Sequence, residues 1–179
     1  MMEKIARLHL TRDQLAALRT MAARAYPNEG CALLIGRDRP DGAGAEVTRI
    51  VPAANVDPEP ARGFELDPRV LVRELRALRE AAKGRGGDER LLGHMHSHPD
   101  APPVPSARDR AQAFEAGQVW LIVPVRRGRA GAPRAHQALA AADGRMDFQP
   151  VALARPQSVG EPKTARTTNS LIARAARSR

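Results

Sequence analysis

The chain has 179 residues, of which 42% are apolar but only 3% aromatic, and a formal net charge of +9. This length predicts one domain with a core of Leu, Val, Ile and Ala. The single cysteine, Cys31, excludes an intrachain disulfide and a cysteine-rich zinc module. The sequence has no run of about 18 apolar residues and no apolar signal region at its N-terminus. We therefore expect a soluble, cytoplasmic protein.

Positive charge is concentrated at the C-terminal end. Residues 155–179 hold six basic residues and one acidic residue, and Pro, Ser and Thr replace core-forming residues there. We predict a domain over residues 1–154 and a basic, flexible tail over residues 155–179, with a helical pattern at 169–179. The tail could contact an acidic partner or nucleic acid. Nucleic acid is disfavoured because no aromatic residues alternate with the arginines, as base stacking would need.

The first part of the chain alternates strand and helix patterns. Residues 4–10 alternate apolar and polar side chains, which predicts a strand. Thr11-Arg-Asp-Gln has the form of a capping box, and apolar residues follow at helical spacing until Pro27. A short apolar run at 31–35 predicts a buried strand. A Gly-containing turn joins it to a second strand at 46–51, so the two form a hairpin.

The second part adds two helices and four strands. After a Pro-containing loop at 52–66, Asp67 and Pro68 are preferred residues for an N-cap and a first helical position, and Gly84 follows the helix. The remaining predicted elements are a strand at 91–96, a helix at 106–116, and strands at 119–125, 134–141 and 146–153. The order β-α-β-β-α-β-α-β-β-β predicts an α/β (α+β) sandwich, in which helices flank one mixed sheet.

Three alternating histidines precede a proline-rich loop and a helix: His94, His96 and His98. Residues i and i+2 of a strand face the same way about 6.5–7 Å apart, so His96 and His98 can bind one ion. Pro99 stops the strand, and the loop returns the chain to Ser106 and Asp109, in the first turn of a helix. The Asp109 carboxylate can then point back at the histidines. Two histidines and one carboxylate leave a fourth position for water, as in catalytic zinc sites.

Attack by water also needs a general base and a group that stabilises the oxyanion. Our candidates are Glu29, just before the buried strand, as the base and the Ser106 hydroxyl as the oxyanion donor. Each has a structural alternative. A lone acid before a strand is usually a surface residue, and Ser106 with Asp109 fits a plain capping box, a role that can coexist with catalysis. We interpret His94 as a packed strand residue or as a support for the ligands.

These residues resemble the JAMM (MPN-plus, Mov34/PAD-1-like) metalloprotease family. Its motif is a distant Glu, then His-x-His, seven residues, Ser, two residues and Asp. The chain matches the motif at every position, with Glu29, His96, His98, Ser106 and Asp109. The segment 27–36 resembles the family's Glu-containing entry into a strand, and the segment 64–68 resembles the bacterial branch. The whole resemblance spans about residues 4–153.

The resemblance implies a cytidine-deaminase-like three-layer sandwich with one zinc ion held by His96, His98 and Asp109. Glu29 would be the general base, and Ser106 would stabilise the tetrahedral intermediate. The family cleaves peptide or isopeptide bonds after the C-terminal Gly-Gly of ubiquitin-like proteins. Compact bacterial members resemble enzymes that process ubiquitin-like sulfur carriers. The loop before Ser106 has no long insertion of the kind that binds ubiquitin in eukaryotic relatives, which argues against polyubiquitin as the substrate.

We therefore expect a zinc metallopeptidase acting on a small ubiquitin-like or sulfur-carrier protein. Two other functions fit parts of the sequence: a non-catalytic scaffold of the same fold, and a nucleic-acid-associated protein that uses the basic tail. The presence of all five motif residues argues against a scaffold. The identity of the carrier and the oligomeric state are left open by the sequence.

Overall fold

The computed structural model describes residues 4–42, 44–84, 87–141 and 144–154. The predicted basic tail (155–179), with its helical pattern, lies outside the described residues. In chain order the elements are β1 (Arg7–His9), α1 (Arg12–Ala25), β2 (Cys31–Asp38), β3 (Ala45–Ala53), α2 (Pro68–Lys83), β4 (Arg90–Pro99), α3 (Ala107–Gln112), β5 (Val119–Arg126), β6 (Arg129–Ala130), β7 (Arg134–Ala140) and β8 (Met146–Ala154).

The two longer helices begin at the predicted capping residues. At α1 the Thr11 hydroxyl accepts from the Gln14 backbone N–H (3.1 Å), and the Gln14 side chain accepts from the Thr11 N–H (2.8 Å). At α2 the Asp67 carboxylate accepts from the Arg69 N–H (2.9 Å). Pro68 occupies the first helical turn, where its missing N–H costs no hydrogen bond. No helix within the described ranges is long and apolar enough to cross a membrane.

The strands form the predicted mixed sheet, and their pairing closes into a ring. The strand order is β4-β2-β3-β1-β8-β7-β5-β6, and β4 also pairs with β5. β1 runs parallel to β3 and β8, and β4 runs parallel to β5, whereas the remaining pairs are antiparallel. The predicted hairpin is present as β2 and β3. Closure gives β2, β4 and β5 a partner on each side, which satisfies their backbone groups and holds them in place.

Several elements differ from the sequence predictions. β1 is shorter than predicted, and β2 and β3 are longer because they pair with each other from Cys31–Ala53 to Asp38–Ala45. β4 continues to Pro99, beyond its predicted end, because its parallel pairing with β5 extends that far. α3 ends at Gln112, earlier than predicted, because Ala113 leaves the helix and is buried in an apolar cluster around Trp120. The two-residue strand β6 was not predicted. It pairs with the end of β5 and lies between the strands predicted at 119–125 and 134–141.

The central strands bury both of their faces, but in different surroundings. One face joins the main core, where Leu34 and Met95 are fully buried together with Leu18 and Ala22 of α1. Fully burying one such large side chain stabilises the fold by about 1.5–3 kcal/mol, so the main core determines where β2 and β4 lie. The other face meets a smaller cluster built from Cys31, Phe64, Ala113, Trp120, Ala138 and Phe148.

Gly93 allows β4 and β5 to approach each other immediately before the histidines. Its φ is +150°, a conformation that favours glycine. A Cβ atom at this position would overlap the carbonyl oxygen of Val119 on β5. The register of the histidine strand therefore depends on a position where a side chain does not fit.

Substituting Gly93 with Ala is expected to lower the free energy of unfolding by at least about 2 kcal/mol, since strain and overlap add. Gly84→Ala is the matched control, because Gly84 has a negative φ and its nearest neighbour to a new Cβ is the Ala81 oxygen at 3.5 Å. The control should change stability by less than about 0.5 kcal/mol. Urea denaturation measures both values, and equal losses would contradict the proposed role of Gly93.

Candidate metal centre

The antiparallel pairing of β2 with β4 brings Glu29 to the histidines. In this register Cys31 lies opposite His96. One step outward, the Gly30 N–H donates to the Ser97 hydroxyl (2.8 Å), and the Ser97 N–H donates to the Gly30 carbonyl (3.0 Å). Opposite residues of neighbouring strands point to the same face, so the next step places Glu29 on the face of the histidine ligands.

The predicted ligand atoms converge at one point. The His96 Nε2 atom lies 3.0 Å from His98 Nε2 and 3.5 Å from Asp109 Oδ1, and His98 Nε2 lies 3.3 Å from Asp109 Oδ2. A ligand atom of Glu29 lies within 4.8 Å of both imidazole nitrogens. All four side chains are buried. The structure therefore brings the three predicted ligands and the predicted base together.

This donor set fits a zinc ion. Tetrahedral coordination with bonds of about 2.0–2.2 Å separates neighbouring donor atoms by about 3.3–3.5 Å. The observed separations of 3.0–3.5 Å are close to that spacing. Two imidazole nitrogens and a carboxylate oxygen are ligands that suit zinc. In addition, Oε2 of the buried Glu29 has no hydrogen-bond partner among the described residues, as expected for a group that acts on a bound molecule.

Ser106 and Asp109 form the capping box that the sequence offered as an alternative. The Ser106 hydroxyl accepts from the Asp109 N–H (3.1 Å), and Asp109 Oδ2 accepts from the Ser106 N–H (2.6 Å). This capping box orients the carboxylate towards the two histidines. Because the hydroxyl only accepts in this arrangement, its own proton remains available to a substrate, and the Ser106 side chain is exposed. The capping geometry is therefore compatible with the predicted catalytic role.

Burial makes Glu29 a base with affinity for protons near neutral pH. Loss of water around the carboxylate raises its pKa to about 7, while His98 lowers and Asp109 raises that pKa. A general base works best when its pKa lies near the working pH. The alternative of an ordinary surface acid does not fit a side chain that is only 7% exposed.

Burial and neighbouring groups also shift the pKa values of Asp109, His96 and His98. Burial would raise the pKa of Asp109, but its hydrogen bonds with His96, His98 and the Ser106 N–H hold that pKa well below its usual value. Burial lowers the pKa of His96, which favours the neutral imidazole that metal binding requires. Burial opposes protonation of His98 too, yet Asp109 and the Pro102 carbonyl raise its pKa. Metal binding at His98 therefore competes with protonation of its imidazole.

His94 lies behind the ligands and packs between aromatic rings. Its ring centroid is 4.3 Å from that of Trp120 and 5.0 Å from that of Phe64. Burial lowers its pKa to about 3, so it is neutral. Phe64 also stacks on His96, with ring centroids 4.3 Å apart and planes 13° apart. His94 is thus outside the group of converging ligand atoms and contributes to the aromatic wall of the centre.

Asn55 was missed by the sequence analysis. Its amide donates to the carbonyls of Glu29 (2.9 Å) and Gly63 (3.0 Å), and its Oδ1 atom accepts from the N–H groups of Asp57 and Glu65. Asn55 therefore closes the loop predicted at 52–66 and joins it to the backbone of Glu29. A lone asparagine among prolines is typical of any turn, so no sequence signal distinguished it.

Two further supports hold the loops around the centre. Arg108, next to Asp109, pairs with the buried carboxylate of Asp57 at 2.6 Å and joins α3 to the loop held by Asn55. The loop after the histidines is held at consecutive carbonyls, since His98 Nδ1 lies 2.8 Å from Pro102 O and His136 Nε2 lies 3.2 Å from Pro103 O. The contacts of Arg108 and His136 join residues that are 51 and 33 positions apart in the sequence, which is why spacing alone did not predict them.

Comparison with known proteins places the chain in a family. A family model described as prokaryotic homologs of the JAB domain matches residues 11–139, a range that contains all five predicted site residues. A desampylase of Haloferax volcanii is 40% identical over 121 residues, covering 65% of this chain and 80% of the relative. A probable TtuB-protein conjugate cleaving protease of Thermus thermophilus is 35% identical over 106 residues, covering 59% of this chain and 63% of the relative.

The fold agrees with that match. The solution structure of a protein from Desulfitobacterium hafniense has a TM-score of 0.62 and 31% identity, covering 83% of this chain and 93% of that one. The mixed sheet with flanking helices is confirmed, and the expected cytidine-deaminase-like sandwich is consistent with the JAB fold. The resemblance to the compact bacterial JAMM branch is likewise confirmed. The chain therefore belongs to the family of prokaryotic homologs of the JAB domain.

Proposed function

We propose that this protein is a zinc-dependent metallopeptidase that hydrolyses the peptide or isopeptide bond after the C-terminal Gly-Gly of a small ubiquitin-like or sulfur-carrier protein. The names of two relatives, a desampylase and a conjugate cleaving protease, confirm the coarser prediction of a hydrolase that acts on isopeptide bonds. The observation that carries the finer proposal is the convergence of His96, His98 and Asp109 beside the Glu29 carboxylate.

His96, His98 and Asp109 would hold the zinc ion, and each is positioned by a contact outside the ligand set. Phe64 stacks on His96, the Pro102 carbonyl meets the far nitrogen of His98, and the capping box holds Asp109. Such outer contacts orient ligands before the metal arrives. When bound, zinc supplies Lewis-acid chemistry that lowers the pKa of a coordinated water towards neutrality.

Glu29 is the residue that moves the proton. It accepts a proton from the attacking water as the water oxygen bonds to the carbonyl carbon of the substrate. It then returns that proton to the leaving amine as the C–N bond breaks, so the reaction yields a carboxylic acid and an amine, which exchange the remaining water proton to give a carboxylate and an ammonium group. A carboxylate with a pKa near 7 can carry out both steps, since neither its protonated nor its ionised form is strongly favoured at neutral pH.

Ser106 stabilises the charge that develops on the substrate carbonyl oxygen. Its hydroxyl accepts from the Asp109 N–H, and this contact directs the free proton away from the helix. A donor that is held in place before the reaction stabilises an oxyanion without reorganisation. We expect the Gly-Gly tail to dock beside the centre by strand addition, since backbone pairing suits a segment without side chains.

The purified protein is expected to contain one zinc ion per chain. Asp109→Asn should lower its zinc affinity by at least about tenfold, because the variant keeps an oxygen for the cap but loses the charge that holds the metal. Asp13→Asn, in the exposed first turn of α1, is the control and should bind zinc like the wild type. Elemental analysis and competition with a chromogenic chelator measure both. A wild-type protein that binds no zinc would favour a non-catalytic scaffold.

Glu29→Gln should abolish cleavage while zinc stays bound, because the amide retains the shape of the side chain but cannot take a proton. A suitable substrate is a ubiquitin-like protein whose C-terminal Gly-Gly is joined to a lysine of a fluorescent peptide. Glu65→Gln, an exposed acid, is the matched control and should cleave normally. Cleavage by Glu29→Gln at the wild-type rate would refute the assignment of the base.

Ser106→Gly should reduce kcat by about 10²–10³-fold, the usual effect of losing one oxyanion donor. Glycine is chosen because it replaces a serine N-cap at a cost of only a few tenths of a kcal/mol. Ser106→Thr restores the hydroxyl and should recover most of the rate. Stopped assays with the same substrate, together with thermal melting, separate catalysis from stability. A glycine variant with wild-type kcat would limit Ser106 to its capping role.

A further inference from the structure

A groove lies beside the loop that supports the second histidine. It runs between residues 100–102 and the turn that joins β5 to β6, and its volume is about 410 Å³. Its lining combines apolar surface with two arginines and includes Pro102, Pro124, Val125, Arg126 and Arg129. A space of this size accommodates a few residues of an extended chain rather than a folded domain.

The groove and the metal centre share one loop. Pro102 lines the groove, and its carbonyl oxygen lies 2.8 Å from Nδ1 of His98. At the start of the same loop, the Asp100 N–H donates to the Val125 carbonyl on the other side of the groove (2.7 Å). A segment bound in the groove is therefore separated from a ligand of the centre by a single layer of backbone.

Three arginines stand in four consecutive positions at the rim: Arg126, Arg127 and Arg129. All three are exposed, and among the described residues none of them forms an ion pair. The carboxylate beside them is Asp100, whose oxygens accept from the Tyr26 hydroxyl (2.9 Å) and the Arg127 N–H (3.0 Å). The rim thus carries three positive charges against one negative charge.

Several arginines elsewhere on the molecule are neutralised by carboxylates. The observed pairs are Arg37–Glu46, Arg39–Asp41, Arg49–Glu74, Arg90–Asp38 and Arg108–Asp57. A cluster left without ion pairs beside a groove creates a local positive potential, which attracts acidic groups from solution.

The turn between β5 and β6 holds Arg127 in a left-handed backbone conformation, which other residue types adopt more readily. Arg127 and Gly128 are the two central residues of the hairpin turn, with φ of +49° and +75°. Such turns favour Asn, Asp or Gly at both positions. A fourth arginine, Arg19 of α1, donates to the Ala130 carbonyl (2.8 Å) and borders the same turn. Positive charge is therefore concentrated here despite the preference of the backbone.

We propose that this groove docks an acidic segment of the protein substrate beside the metal centre, with Arg126 and Arg129 as the main contacts. The inference rests on the proposed function, because the groove lies one backbone layer from His98, within reach of a protein that is cleaved at the centre. Guanidinium groups pair with carboxylates through two parallel hydrogen bonds, which suits Asp and Glu side chains. A protein substrate is favoured over nucleic acid by this position next to the site of bond cleavage.

The test uses the full chain in its zinc-loaded form. The double variant Arg126→Glu with Arg129→Glu reverses the charge of the groove. The double variant Arg126→Lys with Arg129→Lys keeps that charge. Arg69→Glu with Arg76→Glu makes the same charge change on exposed positions of α2. The probe is an acidic ubiquitin-like protein joined through its Gly-Gly to a lysine of a fluorescent peptide. Binding is measured by anisotropy with Glu29→Gln added to every chain, and cleavage is measured without that change.

Charge reversal in the groove should raise the Kd and the KM for the probe by about tenfold, mainly through slower association, and flatten their dependence on salt. The lysine pair should stay within about threefold of the wild type, because lysine keeps the charge but not the paired hydrogen bonds. The α2 pair should match the wild type. A short Gly-Gly–lysine isopeptide, which lacks the acidic protein, should be affected less than the probe. Thermal melting shows whether the groove variants remain folded.

Each remaining outcome has one meaning. A groove-reversed chain that binds the probe as the wild type does, or a wild type that does not bind it, overturns the docking proposal. An equal loss of probe affinity in the groove pair and the α2 pair would mean that net charge alone causes the effect, and would also overturn the docking proposal. Loss of retention on a DNA or RNA oligonucleotide, with probe binding unchanged, would assign the groove to nucleic acid. A wild type that binds but cleaves neither substrate refutes the proposed function and leaves the docking site standing.

Discussion

The register between β2 and β4 is the constraint on which the centre depends. Reciprocal hydrogen bonds between Gly30 and Ser97 fix this register, one residue away from Glu29 and between the two histidine ligands. Because side chains alternate along a strand, a slip of one residue would move the carboxylate or the imidazoles to the opposite face. The main core on that opposite face, with Leu34 and Met95, makes such a slip costly. Apolar packing on one face thus sets the geometry of the polar groups on the other.

The electrostatics of the centre follow from burying four polar groups together. Charged groups removed from water are costly unless they are paired, and here Asp109 is paired with both imidazoles and the Ser106 N–H. Glu29 has no such partner for one of its oxygens, and burial accordingly raises its pKa to about 7. The same burial therefore distinguishes the two carboxylates: Asp109 is held ionised, as the proposed ligand must be, and Glu29 can exchange a proton near neutral pH, as the proposed base must.

The loops around the centre are tied to distant parts of the fold. Asn55 holds the loop beside Glu29, and Arg108 joins that loop to α3 through Asp57. His136 of β7 supports the loop that follows the histidines. The Arg108–Asp57 ion pair contrasts with the exposed rim of the groove, where Arg126 and Arg129 form no ion pair among the described residues. A site whose loops are held in place, and which carries unpaired positive charge on one side, can favour an extended substrate that approaches from that side.

Much of this arrangement was determined by the sequence alone. The capping boxes at Thr11 and Ser106, the helix start at Asp67, the hairpin and the order of the elements depend on local spacing, and local spacing is legible in a sequence. The motif likewise identified the candidate ligands and base, whose roles remain proposals. Only the tertiary structure showed the closed ring of strands, the role of Asn55 and the groove beside Arg126. These features arise from hydrogen bonds and packing between distant segments, and such contacts exist only once the chain has folded, so no local pattern encodes them.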